Sequence, residues 1–255
     1  MAAAATAARA RFPAGFVVPI AGGVATFAEP DSPFNKVAGL GFDGDPADAD
    51  LAAVEAAFAA VGSPVQIELA HLASPSLAAG LTRRGYRLES FENVLGRAVE
   101  PVAAPAPPSD VVVEAIGAAE LDAWVDLVVA GVAAPDLQGL PSHEDFPAET
   151  VARAERDLVA AGARCYLARR DGRPAGGASM RIAGGVAQLT GAATILEHRR
   201  HGVQSALLAA RLADASAAGC EVAVVTTQPG SKSQQNVQRQ GFDLLYARTI
   251  LIREG

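Results

Sequence analysis

Along residues 202–218, GVQSALLAARLADASAA, apolar side chains recur at Val203, Ala206, Leu207 and Ala210, the spacing that lines one face of a helix. Gly219 is a normal stop for it. The same reading over the rest of the second part of the chain predicts strand 111–116, helix 118–131, helix 147–161 and strands 163–170, 174–183 and 185–195. Strand 221–227, helix 232–240 and strand 243–253 follow the long helix. In the first part, PVQIELAHL (64–72) is a β-rich run preceded by a helical stretch that ends near Gly62. LAAGLTRRG then reads as a helix and GYRLESFENVLGR (85–97) as a strand. Hairpins followed by strand–helix–strand crossovers define a mixed α/β chain.

The two parts echo each other. GYRLESFENVLGR and GFDLLYARTILIR (241–253) both open on Gly-aromatic. Leucine falls at the same offsets (Leu88 with Leu244, Leu95 with Leu251), and both runs end on arginine, Arg97 and Arg253. Upstream, PVQIELAHL echoes EVAVVTTQP (221–229), so the shared order is helix, strand, helix, strand. This reads as a diverged internal duplication. VEPVAAPAPPSD (99–110) is the linker, because its prolines favour extended chain and exclude helix. The expected organisation is a first half of residues 1–100, a linker of 101–110 and a second half of 111–255.

The halves differ at the start of their long helices. The second opens on EHRRHGVQS, where Arg199, Arg200 and His201 run into Gly202. A helix N-terminus offers unpaired N–H groups and about half a positive charge, so this turn is a candidate anion site. The first reads GFDGDPADADLAAVEAAF, and Asp43, Asp45, Asp48 and Asp50 at its helix start would repel a phosphate. A phosphate-bearing ligand is therefore expected in the second half alone.

Composition narrows the class. Half of the 255 residues are hydrophobic and the net charge is −7, which argues against a general nucleic-acid or membrane-surface binder. Any anion site must be local. Cys165 and Cys220, the two cysteines, read as reduced core residues, consistent with a cytoplasmic protein. MAAAATAARARF does not read as a signal peptide, no run of some 18 apolar residues suggests a membrane span, and the first ten or so residues read as a frayed tail. Other motifs fail. PGSKS (229–233) has Ser231 between glycine and lysine and no glycine five residues earlier; His198 and His201 have no further ligands nearby, so no metal is expected; and GRPAGGASMRIAGG joins two strands as a hairpin.

These residues resemble the GNAT superfamily of acyl-CoA-dependent N-acyltransferases. The likeness is carried by LTGAATILEHRRHGVQSALLAARL, similar to the family's Arg/Gln-x-x-Gly-x-Gly/Ala pyrophosphate loop with Arg199 and Gly202 in register, by VAVVTT, and by SKSQQNVQRQGFDLLYARTILI. It covers most of residues 111–255, and the first half looks like a degenerate copy. The resemblance implies two GNAT-like halves in tandem, a central mixed β-sheet flanked by helices, and acetyl-CoA as co-substrate. It further implies that backbone N–H groups of Val203, Gln204 and Ser205, with those of Arg200, His201 and Gly202, wrap the pyrophosphate. Arg199 and Arg200 would add charge, Thr194, Ile195 and Leu196 would pair with the pantetheine amides, and Asn236 would bond the pantetheine arm. The chain departs from the pattern at Gln204, where the family has glycine or alanine, and at Val237, where many members carry a tyrosine that acts as general acid.

Acyl transfer to an amine needs a held acyl carrier, a neutral amine and donors for the developing oxyanion. Tyr246 is the candidate general acid. The strand GVAQLTGAATIL carries no carboxylate, so the candidate bases are Glu92, Glu144, His143, Asp145 and Asp136. The expected activity is direct transfer of an acetyl group from acetyl-CoA to a primary amine of a small molecule, by a monomer or homodimer. The alternatives are a catalytically silent CoA-binding regulatory or scaffold module and an interaction protein without a ligand.

Overall fold

The structure, a computed structural model, describes residues 1–100, 110–134 and 145–254. Residues 101–109 of the expected linker, and the candidate bases Asp136, His143 and Glu144, lie outside them. The elements follow in the order α1 (Ala2–Ala8), β1 (Phe16–Ile20), β2 (Gly23–Phe27), β3 (Lys36–Ala38), α2 (Asp48–Ala60), β4 (Val65–Ala70), α3 (Pro75–Arg83) and β5 (Arg87–Ala98). Then come β6 (Val111–Ala115), α4 (Leu121–Val132), α5 (Ala148–Ala160), β7 (Arg164–Arg170), β8 (Arg173–Ala183) and β9 (Val186–Thr194). The chain closes with α6 (Val203–Ala217), β10 (Val222–Thr227), α7 (Lys232–Gln238) and β11 (Asp243–Arg253). The expected helix 202–218 and strands 174–183 and 243–253 thus fall within a residue of α6, β8 and β11.

The chain divides into two compact units, Met1–Asn93 with Ser142–Ala161 and Tyr246–Gly255, and Val94–Pro141 with Gly162–Leu245. Closing strands are therefore not kept with the half that precedes them: residues 246–253 of β11 belong to the first unit and residues 94–98 of β5 to the second.

In the first unit the strand order is β1-β2-β3-β4-β11-β5. β1, β2 and β3 form an antiparallel meander, β3 runs parallel to β4, and β11 pairs antiparallel with β4 from Arg248↔Ala70 to Arg253↔Val65. Leu51, Val54 and Phe58 make the helical stripe by which α2 joins a core of Phe27, Ile67 and Leu81. The N-terminal segment corrects the expectation of a frayed tail. Residues 2–8 are helical, and Ala4, Ala5 and Ala8 are fully buried in a cluster with Phe34 and Ala154 of α5. Alanine is the best helix former, and its short side chain lets two helices approach closely. Ion pairs then fasten the segment: Arg11 reaches Asp157 at 2.6 Å and Glu29 at 3.0 Å, and Glu29 also takes Arg153.

In the second unit the order is β5-β10-β9-β8-β7-β6. β8 is buried on both faces from Ala175 to Met180 because α4 packs on one face and α6 on the other. Its two glycines make room for them. A Cβ at Gly176 would stand 2.8 Å from Val203 of α6, and one at Gly177 would stand 2.8 Å from the indole nitrogen of Trp124 in α4. Trp124, 1 % exposed, donates that N–H to Tyr166 O at 2.9 Å.

Candidate functional site

The site begins with a parallel ladder that stops early. β9 and β10 share three Cα partners, Val222↔Val186, Ala223↔Ala187 and Val224↔Gln188, although β9 runs on to Thr194 and β10 to Thr227. On the other side β9 stays paired with β8 as far as Gly176↔Thr194, through a register shift between Gly177 and Ser179. Ile195 donates its N–H to Ala175 O at 3.0 Å, toward β8. Alternation along an extended chain turns the peptide groups of Thr194 to the opposite edge, the one left open by β10.

Two further contacts hold that edge. Glycine at position 131 lets α4 lie directly on the strand, since a Cβ there would come within 2.6 Å of Ala193 Cβ and 3.5 Å of Thr194 N. Arg211 of α6, 4 % exposed, donates to Leu207 O, Ser179 O and Thr190 O at 3.1, 3.2 and 3.4 Å, so its guanidinium ties α6 to the shifted register. Burial without a carboxylate pushes its pKa down to about 10.

The turn after β9 sets up the start of α6. Leu196 opens a short 3-10 turn, Leu196–His198, and is exposed rather than extended, so the strand ends two residues before it. Arg200 (φ +64°) and Gly202 (φ +79°) both take the left-handed conformation, which glycine adopts freely and arginine rarely. The first backbone bond within the helix is Ala206 N–H to Gly202 O at 2.9 Å. The N–H groups of Val203, Gln204 and Ser205 precede it, as in the first turn of any helix. No side chain caps this end and no acid stands in its first turn. The comparison inside the chain is informative: Ser74 caps α3, Ser231 caps α7, and Asp48 and Asp50 stand in the first turn of α2.

The side chains of the turn divide in two. Arg200 and His201 are exposed. Arg199 turns inward, donating from Nε to Thr194 O at 3.3 Å and from Nη2 to Ala134 O, so it clamps the turn to the end of the segment after α4. Gln204 donates to Thr194 Oγ1 at 3.1 Å. Asn236, in α7, accepts from Arg239 at 3.3 Å. Thr194, the turn, α6 and α7 all lie in the second unit.

The candidate acid and bases lie elsewhere. Val237 is buried in the core with Phe242, so α7 presents no hydroxyl at that position. Tyr246 belongs to the first unit, half-buried edge-on against Phe42, and burial raises its pKa. Glu92, also in the first unit, is held by Arg248 at 2.6 Å within a buried chain in which Arg248 reaches Glu68 at 2.6 Å and Lys36 reaches Glu68 at 3.1 Å. Asp145 is exposed. Among the described residues no group of three or more His, Cys, Asp or Glu is placed to hold a metal, and no helix is long and apolar enough to cross a membrane.

Gly131, Arg211 and Thr227 were not singled out by sequence reasoning. Gly131 and Arg211 interrupt or sit within ordinary helical patterns, and only their contacts across the fold distinguish them.

Residues 133–242 match the sequence model of the acetyltransferase (GNAT) family. Over its full length it has the fold of a GCN5-related N-acetyltransferase from Kribbella flavida, at 23% identity and a TM-score of 0.69, covering 100% of this chain and 97% of that one. A tandem GNAT protein from the clavulanic acid biosynthesis pathway matches at 16% identity and a TM-score of 0.64, covering 98% and 87%. A GCN5-related N-acetyltransferase from Sphaerobacter thermophilus matches at 13% and 0.61, covering 92% and 81%. No curated protein matches.

Proposed function

We propose that the second unit binds acetyl-CoA and transfers its acetyl group directly to a primary amine of a small molecule. The early end of the β9–β10 ladder carries this reading, because it leaves the N–H of Thr194 facing an edge without a partner strand, beside an uncapped helix start. Pantetheine amides satisfy such an edge as an added strand would, and a pyrophosphate suits the N–H groups of Val203, Gln204 and Ser205. Arg200 and His201 supply charge from the rim, while Arg199 acts as the clamp that shapes the turn. Transfer follows attack of the neutral amine nitrogen on the thioester carbon and loss of the CoA sulfur. The first unit then serves as scaffold: β3 and β4 share only two Cα partners in parallel, but the helix start beyond them is acidic.

A second reading, a CoA-binding module without catalysis, is favoured by Val237 and by the absence of a carboxylate on β9. Calorimetric titration with acetyl-CoA and CoA tests the shared part. Micromolar binding by the native chain and its loss in Gly202→Asp would support the site, whereas no binding by the native chain would end both readings. Thiol release over a panel of amines then separates enzyme from silent binder.

A further inference from the structure

β10 ends on an unsatisfied hydroxyl at the level of the opening. Thr227, its last residue, is 5 % exposed, and its Oγ1 is buried without a hydrogen-bonding partner among the described residues. Leaving a hydroxyl buried and unpaired is costly, and valine would avoid that cost at the same size. Other hydroxyls on the neighbouring strands are satisfied: Thr194 accepts from Gln204, and Ser179 and Thr190 bond each other at 2.8 Å.

The register says where along the opening Thr227 stands. The last ladder pair is Val224↔Gln188, and three residues on from each come Thr227 and Gly191. Gly191 (φ +53°) lies where β9 shifts register against β8. Thr227 is thus level with the deep part of the opening, while Thr194 and the start of α6 stand at its mouth. An acyl-CoA arm held at the mouth by its pyrophosphate and at Thr194 by its amides reaches inward sulfur-last.

We infer that Thr227 donates a hydrogen bond from Oγ1 to the sulfur of the coenzyme. The inference rests on the acyl-CoA reading above. In the transfer, the amine nitrogen forms a bond to the thioester carbonyl carbon, the carbon–sulfur bond breaks, and its electron pair leaves on sulfur. The proton shed by nitrogen passes to water. Thr227 keeps its own proton and offers it as a hydrogen bond to the thiolate.

Paired titrations with CoA and with desulfo-CoA, which lacks the sulfur, test this at pH 9, where more of the coenzyme's thiol is ionised than at neutral pH. The native chain should prefer CoA by about tenfold, the increment of one hydrogen bond to a charged group. Thr227→Val should lose that preference and Thr227→Ser should keep it. Turnover should follow, with kcat down about tenfold in Thr227→Val, KM little changed, and recovery in Thr227→Ser. Thr227→Val should also melt no lower than the native chain, since no partner is lost. Equal preference for CoA in the native chain and Thr227→Val would overturn the role of Thr227 alone. A native chain that binds neither ligand would overturn the acyl-CoA reading and this inference with it.

Discussion

Single residues in this chain show how differently burial treats a charge with and without partners. Glu155 of α5 is 8 % exposed, its Oε2 has no partner among the described residues, and burial pushes its carboxyl up to about 7. The carboxyl ionises near 4.5 in the unfolded chain, so between there and about pH 7 the folded state binds the extra proton and stability falls as pH rises. Above about 7 the loss is complete and levels off. Glu155→Gln should remove this slope. In urea unfolding its advantage over the native chain should grow from pH 5 to pH 8 by about 3 kcal/mol, and a constant difference would show that Glu155 finds a partner. Arg248 is the opposite case, shared between the buried carboxylates of Glu68 and Glu92. Removing it leaves Glu92 without its guanidinium, so Arg248→Met should destabilise the chain by about 3–5 kcal/mol in thermal unfolding. Glu92→Gln, which keeps an acceptor for the guanidinium, should cost clearly less.

At the scale of elements, the open edge of β9 depends on how closely α4 lies against it. A methyl group at Gly131 would need room that Ala193 occupies, and the nearest alternative is to push on the peptide of Thr194. Gly131→Ala raises helix propensity by about 1 kcal/mol, while overpacking costs about 1–3 kcal/mol, so global stability should change little. Affinity for acetyl-CoA should instead fall about tenfold in calorimetry, and an unchanged affinity would show that the strand does not feel α4. This contrast also explains what the sequence makes legible. The long helix and the strands around it are readable because periodicity is local: Val203, Ala206 and Leu207 face one core, and the Arg199–Gly202 turn stands out beside it. The helix of Ala2–Ala8 is not legible because alanine alone carries little contrast between faces, and its partner α5 is distant in sequence. Gly176 and Gly177 read as hairpin glycines until Val203 and Trp124 are seen above and below them. The inward turn of Arg199 and the unsatisfied hydroxyl of Thr227 likewise depend on contacts that no spacing encodes.

For the whole molecule, the exchange of closing strands decides what can be cut away. Residues 246–253 of β11 complete the first unit: they pair with β4 and bring Arg248 to Glu68 and Glu92 and Arg253 to Glu55 at 2.6 Å. A chain ending at residue 245 would lose a ladder of six Cα partners and leave three largely buried carboxylates short of a cation, far more than a unit of ordinary marginal stability can spare. Such a truncation should abolish hydrogen-exchange protection in β4 and α2. β7, β8 and β9, whose partners all lie within the second unit, should keep theirs. A fragment of residues 1–100 lacks the same strand and also lacks α5, on which α1 packs. It should therefore be unfolded alone and gain protection in β4 only when the strand is supplied, for instance as a peptide of residues 243–255. Protection of β4 in the isolated fragment would mean that the first half closes its own sheet, and the strand exchange would then be dispensable for its fold.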